Sequence, residues 1–336
     1  MQPYLMISNR NRDGDGLGTD LATLAFYTAD AGTDPRALTA MSAWTKVTRA
    51  AFIQQLKDIA DGFPLLPDAR NEQQSHVCLF VHGYNVAWTD AVGDYLEVKN
   101  NLVEAANLGQ AVLYSWPSKG SVAGYLPDRE DARQSAPDLA QLFVDLNDYL
   151  VKKQRVAAAT NDPGKLCRAK ISVIAHSMGN YVMQEALVAA SKRLNDPQLV
   201  SLINQFVMVA ADVDNDLFQR DKPADGDGSL MANLCYRIAA LYTGLDAVLG
   251  MSAGLKHFGT RRLGRSGLAD DANVWDNVFD FDVTEYINTQ DSIHSAVFDS
   301  PPAIDIVENI LRGVDRNYIA QGVVPFAQGQ AAPQPA

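Results

Sequence analysis

The sequence predicts an α/β protein with a mostly parallel central sheet and helices on both of its faces. Three observations predict it. Short, near-continuous apolar runs recur from residue 76 onward. Longer amphipathic stretches separate them, as expected for strands buried on both faces and joined by helices. The chemically informative residues sit just after the apolar runs, at the carboxyl ends of strands, where such sheets bind ligands.

The elements follow in order. A first strand is expected at Tyr4–Ser8, then a turn-rich connection over residues 9–20, NRNRDGDGLGTD. Residues 44–62 carry helical spacing, with Trp44, Val47, Phe52, Leu56 and Ile59 near one face. Strands are then expected at 76–82, 110–116, 170–175, 205–211, 236–242 and 277–283. Helices are expected at 86–107, about 130–155, 178–193, a short stretch from Asp246, and about 302–312. The alternation gives no break after residue 76. The expected organisation is an extension over 1–75 packed on the core, an α/β core over 76–325, and a disordered tail over 326–336.

Composition bounds the function. The chain has 336 residues, a formal charge of −12, 47% apolar and 20% charged residues. That suits a globular chain with a sizeable core. So acidic a protein gains little from phosphate neutralisation, so nucleic acid is not an expected partner. The first residues lack the basic and apolar regions of a secretory leader, and no run suggests a membrane span. Cys78, Cys167 and Cys235 are odd in number and form no C-x-x-C, as in a reducing cytosol, so the expected location is cytoplasmic. DVDND (212–216) opens like a calcium loop, but Leu217 and Pro223 stand where Gly and Glu are needed. No metal or cofactor is expected.

The sharpest motif is VIAHSMGNYV (173–182). A strand ends, Ser177 follows and a helix begins, with small residues at Ala175 and Gly179. That is the pattern of a nucleophile elbow. It lifts a serine hydroxyl clear of the sheet and leaves the first N–H groups of the helix, Met178 foremost, facing a developing oxyanion. Read alone, Ser177 also fits a plain helix N-cap. His176 reads as a pocket-wall or packing residue.

In FVHGYNVAW (80–88) a strand ends in His82-Gly83. Gly83 lets the backbone turn, and the N–H of Tyr84 becomes the second oxyanion donor. Asn85 reads as the N-cap of the next helix, and His82 as a structural hydrogen-bonder beneath the loop. The order nucleophile, acid, base leaves His257 and His294 downstream. His294, after the last strand and before the last helix, is the expected base. His257 lies in the one basic stretch, Lys256–Arg265, read as a solvated loop face or a rim for anions or a partner. Asp246 is the expected acid, with Asp212 and Asp214 as rivals after the preceding strand. Asp246 also fits a helix N-cap. Tyr114, Trp116 and Tyr125 are candidate aromatic walls, equally compatible with core packing. Residues 117–137 and 219–230 read as long turns able to form a lid.

LFVHGYN, LYSWPSKGSVAGYLPDR, IAHSMGNYV, VAADVDNDLF, ALYTGLDAVL and IHSAVF, in this order, resemble a bacterial alpha/beta-hydrolase-fold family of the HGYN/AHSMGN type. The resemblance covers about residues 76–300 and the YLMISNRNRDGDG stretch. It implies a serine hydrolase with nucleophile Ser177, acid Asp246, base His294 and an oxyanion hole at Tyr84 and Met178.

The expected activity is cleavage of small to medium carboxylic esters through an acyl-enzyme on Ser177. The expected partner is a small-molecule ester; the oligomeric state is not readable. A non-catalytic binding protein on the same fold, a thioesterase and an acyltransferase stand as alternatives.

Overall fold

The computed structural model describes residues 2–64, 74–121, 124–194, 201–223, 226–257, 259–288 and 292–322. The expected tail, 326–336, lies outside the described residues.

The strands are β1 (Tyr4–Asp13), β2 (Gly16–Ala29), β3 (Thr45–Val47), β4 (His76–Val81), β5 (Gly109–Ser115), β6 (Lys170–His176), β7 (Ile203–Val209), β8 (Cys235–Tyr242) and β9 (Val278–Asp282). The α-helices are α1 (Arg49–Gly62), α2 (Trp88–Glu97), α3 (Tyr125–Thr160), α4 (Gly179–Leu194), α5 (Asp227–Leu234), α6 (Ala247–Met251), α7 (Leu263–Ser266), α8 (Thr284–Ile287), α9 (Pro301–Leu311) and α10 (Arg316–Ala320). All nine strands form one sheet in the order β3-β2-β1-β5-β4-β6-β7-β8-β9. β1 to β3 pair antiparallel, and every pairing from β1–β5 to β8–β9 is parallel. This is the alpha/beta hydrolase fold.

Two apolar layers sandwich the sheet. One joins Phe52 of α1, Leu139 of α3 and Met183 of α4 to alternate strand residues such as Val81, Val173 and Met208. The other joins Tyr95 of α2 and Val307 and Ile310 of α9 to the opposite alternates, Phe80, Ile174 and Val207. Successive residues of a strand face opposite sides, so a strand buried on both faces is apolar throughout.

The structure departs from the expected elements in several places. Residues 44–62 are not one helix: Thr45–Val47 form the edge strand β3, and α1 begins only at Arg49, with Thr48 as its N-cap. Residues 9–20 are not a long connection: β1 runs to Asp13 and a hairpin turns at once through Gly14, whose φ of +55° suits glycine. The polar residues that hid this strand, Asn9 and Arg10, are buried in it. Asn85 caps nothing; its φ is +57°, and α2 begins later with Ala87 at the N-cap. The expected helix to residue 107 turns into a π-helix over Val98–Glu104. Residues 125–137, read as part of a lid, are the first turns of α3, which runs on through Pro137.

Candidate active site

β6 delivers Ser177 to the carboxyl edge of the sheet. Its φ is +52°, a left-handed conformation that residues with a Cβ seldom adopt. The Ser177 N–H donates to Val209 O at 3.0 Å, and Asn180 Nδ2 donates to Ala175 O at 2.9 Å. Both bonds hold the bend. A Cβ on Gly179 would lie 2.5 Å from Val81 O and 2.6 Å from His82 O. β4 therefore passes too close for any residue but glycine, which is the physical content of the S-x-G spacing.

Three distant side chains meet here. Ser177 Oγ lies 2.9 Å from His294 Nε2, and His294 Nδ1 lies 2.7 Å from Asp246 Oδ2. Asp246 is fully buried, and its other oxygen accepts the Leu249 N–H at 2.9 Å. It is thus both the N-cap of α6 and the partner of His294. The rival acids point elsewhere. Asp212 Oδ1 accepts from Arg262 Nε at 2.8 Å, and Asp214 pairs with the same guanidinium. Burial pushes the Asp212 carboxyl up, but Arg262 and the Tyr125 and Ser252 hydroxyls outweigh it and hold the group below the usual carboxylate range.

The loop after β4 closes over the elbow. A Cβ on Gly83 would lie 2.9 Å from Ser177 Cβ, so this glycine allows the loop to reach the serine. Tyr84 follows. The Met178 N–H donates no hydrogen bond among the described residues. Sequence reasoning missed the residues that fix the loop. Asp128, buried in the first turn of α3, accepts the Asn85 N–H at 3.1 Å, the Ser118 hydroxyl at 2.6 Å and the Lys119 N–H at 2.7 Å. Arg10 donates to Val86 O at 2.9 Å and meets His82 Nε2 at 3.3 Å. A buried Asp or Arg carries no motif; only the fold brings these partners, far apart in sequence, together.

The other expected residues separate. His176 is buried, and its Nε2 lies 2.9 Å from the His294 main-chain oxygen. Burial and the neighbouring His294 ring push it down to about 4, so it is neutral and its Nε2–H donates to that carbonyl. Trp116 is fully buried, stacks on His82 at 5.3 Å and donates to His82 O. It supports the loop from below. Tyr125 donates to Asp212 Oδ2 at 2.7 Å and meets the Tyr84 ring edge-on at 5.3 Å. His257 Nε2 lies 2.6 Å from the Tyr125 hydroxyl, away from Ser177. The basic stretch is not simply a solvated face, because Arg262 is fully buried between Asp212 and Asp214.

An apolar hollow of about 290 Å³ lies between α1, α3 and the first halves of β4 to β6, lined by Leu56, Val77, Leu139 and Ile171. Val77 and Ile171 lie near the amino ends of β4 and β6, whereas Ser177 follows the carboxyl end of β6, so the hollow is separate from the site. Among the described residues no three His, Cys, Asp or Glu side chains gather to hold a metal, and no helix is long and apolar enough to cross a membrane.

Residues 65–313 match the family model "Alpha/beta hydrolase of unknown function (DUF900)", and the chain belongs to that family. An uncharacterized protein of Nostoc sp. is 30% identical over 136 residues, which are 34% of this chain and 31% of that protein. Aspergillus fumigatus lipase B is 12% identical with a TM-score of 0.37, covering 90% of this chain and 63% of that one. Phospholipase PlaB from Legionella pneumophila is 14% identical with a TM-score of 0.39, covering 74% of this chain and 61% of that one. The chain thus spans less than two thirds of the length of each of these relatives.

Proposed function

We propose that the protein is a serine hydrolase that cleaves carboxylic esters with small to medium acyl chains through an acyl-enzyme on Ser177. The observation that carries this reading is the unbroken pair of contacts from Ser177 Oγ to His294 (2.9 Å) and from His294 to Asp246 (2.7 Å). A serine hydroxyl is a weak nucleophile until a base accepts its proton. With Nδ1–H donating to Asp246, the lone pair of His294 Nε2 faces the hydroxyl.

In this mechanism Ser177 Oγ attacks the ester carbonyl as its proton passes to His294 Nε2. The carbonyl π pair moves onto oxygen, and the Met178 and Tyr84 main-chain N–H groups donate to it. One such donor is worth roughly 3–4 kcal/mol. The tetrahedral intermediate collapses, the C–O bond to the alcohol breaks, and His294 returns its proton to the leaving oxygen. Water then repeats the sequence on the acyl-enzyme and releases the acid. Asp246 holds the imidazole in its tautomer and stabilises the imidazolium.

The test is labelling by a fluorophosphonate probe together with turnover of nitrophenyl esters of increasing chain length. Labelling and turnover are expected, and Ser177→Ala should abolish both. A folded protein that takes no label and cleaves no ester in the panel would instead be a binding protein on this fold.

A further inference from the structure

Arg129 stands apart from the other guanidinium groups around the site. It follows Tyr125 by four residues on α3, so the two share one helix face, about 5–6 Å apart at Cβ. Tyr125 ties that face to the edge of the sheet through Asp212, whose N–H donates to Ser177 O at 3.2 Å. On its other side, the Arg129 Cζ sits 3.6 Å from the ring centroid of Tyr181. Tyr181 lies one turn into α4, and its N–H donates to Met178 O. Arg129 therefore stacks on Tyr181 and shares a helix face with Tyr125, and each of these tyrosines is linked to the elbow.

Its charge is unspent. Asp212 and Asp214 both go to Arg262, and Glu185 pairs with the Tyr181 hydroxyl. Arg129 has no ion pair among the described residues, and its Nη1 is shielded from solvent without a hydrogen-bond partner. Enclosed guanidinium groups elsewhere are satisfied: Arg10 by Ser115 and by the carbonyls of Gly18 and Val86, Arg237 by Gln205 and by the carbonyls of Ile310 and Val314. A shielded, charged N–H without an acceptor costs stability, and native structures keep such groups mainly where something arrives to fill them. The residue as a whole is only partly covered. Its field is felt nearby, helping to lower Asp212 and His257.

We propose that Arg129 forms an anion subsite beside Ser177, and that the esters cleaved here carry a carboxylate or phosphate seated between Tyr125 and Tyr181. This rests on the hydrolase reading above and adds the substrate class to it. The planar fork suits either oxyanion, because both accept two parallel N–H bonds. Stacking on Tyr181 holds the fork in place before the ligand arrives.

Matched ester pairs test this. One pair is the para-nitrophenyl half-ester of glutaric acid against its methyl ester, with the charge on the acyl side. The other is para-carboxyphenyl butyrate against its methyl ester, with the charge on the leaving side. A phosphonate replacing the carboxylate in each pair separates the two anions. In at least one pair the charged member should have a kcat/KM at least about tenfold higher, and added salt should shrink the gap. Arg129→Met should abolish the advantage, and Arg129→Lys should keep part of it.

Equal rates within both pairs, or an advantage that survives Arg129→Met, would overturn the subsite while turnover of the neutral esters left the hydrolase reading standing. A binding measurement decides the matter without turnover. Ser177→Ala protein should bind the charged ester of the preferred pair more tightly than its methyl ester, and Ser177→Ala/Arg129→Met should not. Equal binding in the first protein would also sink the proposal.

Discussion

The Nε2 atom of His176 lies 2.9 Å from the main-chain oxygen of His294, and the two rings sit 4.9 Å apart. The residue beside Ser177 thus grips the backbone of the residue that faces Ser177. Buried and neutral, His176 can make only one such N–H bond, and it spends it on this carbonyl. His176→Phe should lower kcat by about ten- to a hundredfold, the cost of a base displaced by roughly 1 Å, while KM changes little. His176→Gln keeps an N–H donor and should recover part of the loss. Equal losses for Phe and Gln, or a loss confined to KM, would show that the contact only fills space.

Asp246 and Asp212 are both buried, but they answer to different partners. Asp246→Asn keeps the N-cap on Leu249, since Asn caps helices as well as Asp. It loses the charge opposite His294, so kcat should fall by about ten-thousandfold with the melting temperature nearly kept. Asp212→Asn leaves Arg262 buried with half its charge compensation gone. It should cost about 3–5 kcal/mol of stability, with a smaller effect on kcat in the folded fraction. Paired kinetics and denaturant titrations on the two variants check the ranking. The reverse order would move the acid to the end of β7.

What the sequence made legible follows from what its signals encode. The elbow was readable because Gly179 answers to a local steric demand, the carbonyls of Val81 and His82 within 2.6 Å of any Cβ. The parallel strands were readable because burial on both faces leaves no polar alternation. Two aspartates after two successive strands look alike in sequence. Arg262, 50 residues beyond Asp212, distinguishes them, and no local pattern announces that pairing. β1 outruns its apolar residues for the same reason: Arg10 is buried in it because it reaches Ser115 and the carbonyls of Gly18 and Val86, not because it is apolar. The early start of α3 rests on Asp128, whose three hydrogen-bond donors lie at residues 85, 118 and 119.

Burial pushes His76 down to about 4, with Lys170 and Arg312 adding to it. An unfolded histidine titrates near about 6.5. Between about pH 6.5 and 4 the unfolded chain therefore binds a proton that the folded one refuses. The contribution of His76 is full above that window and is lost as pH falls through it, by up to about 3 kcal/mol. Asp94, pushed up to about 7 by burial, works in the opposite sense, so one stability curve mixes the two. Comparison with His76→Asn separates them. The variant should be less stable at neutral pH, where the bond to Ser172 is lost, and the gap should narrow on acidification. A gap independent of pH would mean that His76 takes up its proton in the fold as readily as in the unfolded chain.

Two glycines border Ser177, and their surroundings predict different damage. A Cβ on Gly179 meets backbone carbonyls of β4 at 2.5 and 2.6 Å. Neither can move without shifting a central strand, so Gly179→Ala should cost about 1–3 kcal/mol or more and lower the melting temperature. A Cβ on Gly83 meets Ser177 Cβ at 2.9 Å and His176 Nδ1 at 3.3 Å. Gly83 belongs to a loop, which can ride up by a few tenths of an ångström and carry the Tyr84 N–H with it. Gly83→Ala should therefore keep most of the stability and lose about a hundredfold in kcat, the scale of one misplaced oxyanion donor. Thermal melts and kcat per fluorophosphonate-labelled site separate the two effects. If Gly83→Ala melted early and kept its rate, the loop would support the fold rather than the reacting oxygen, and Tyr84 would lose its assigned role.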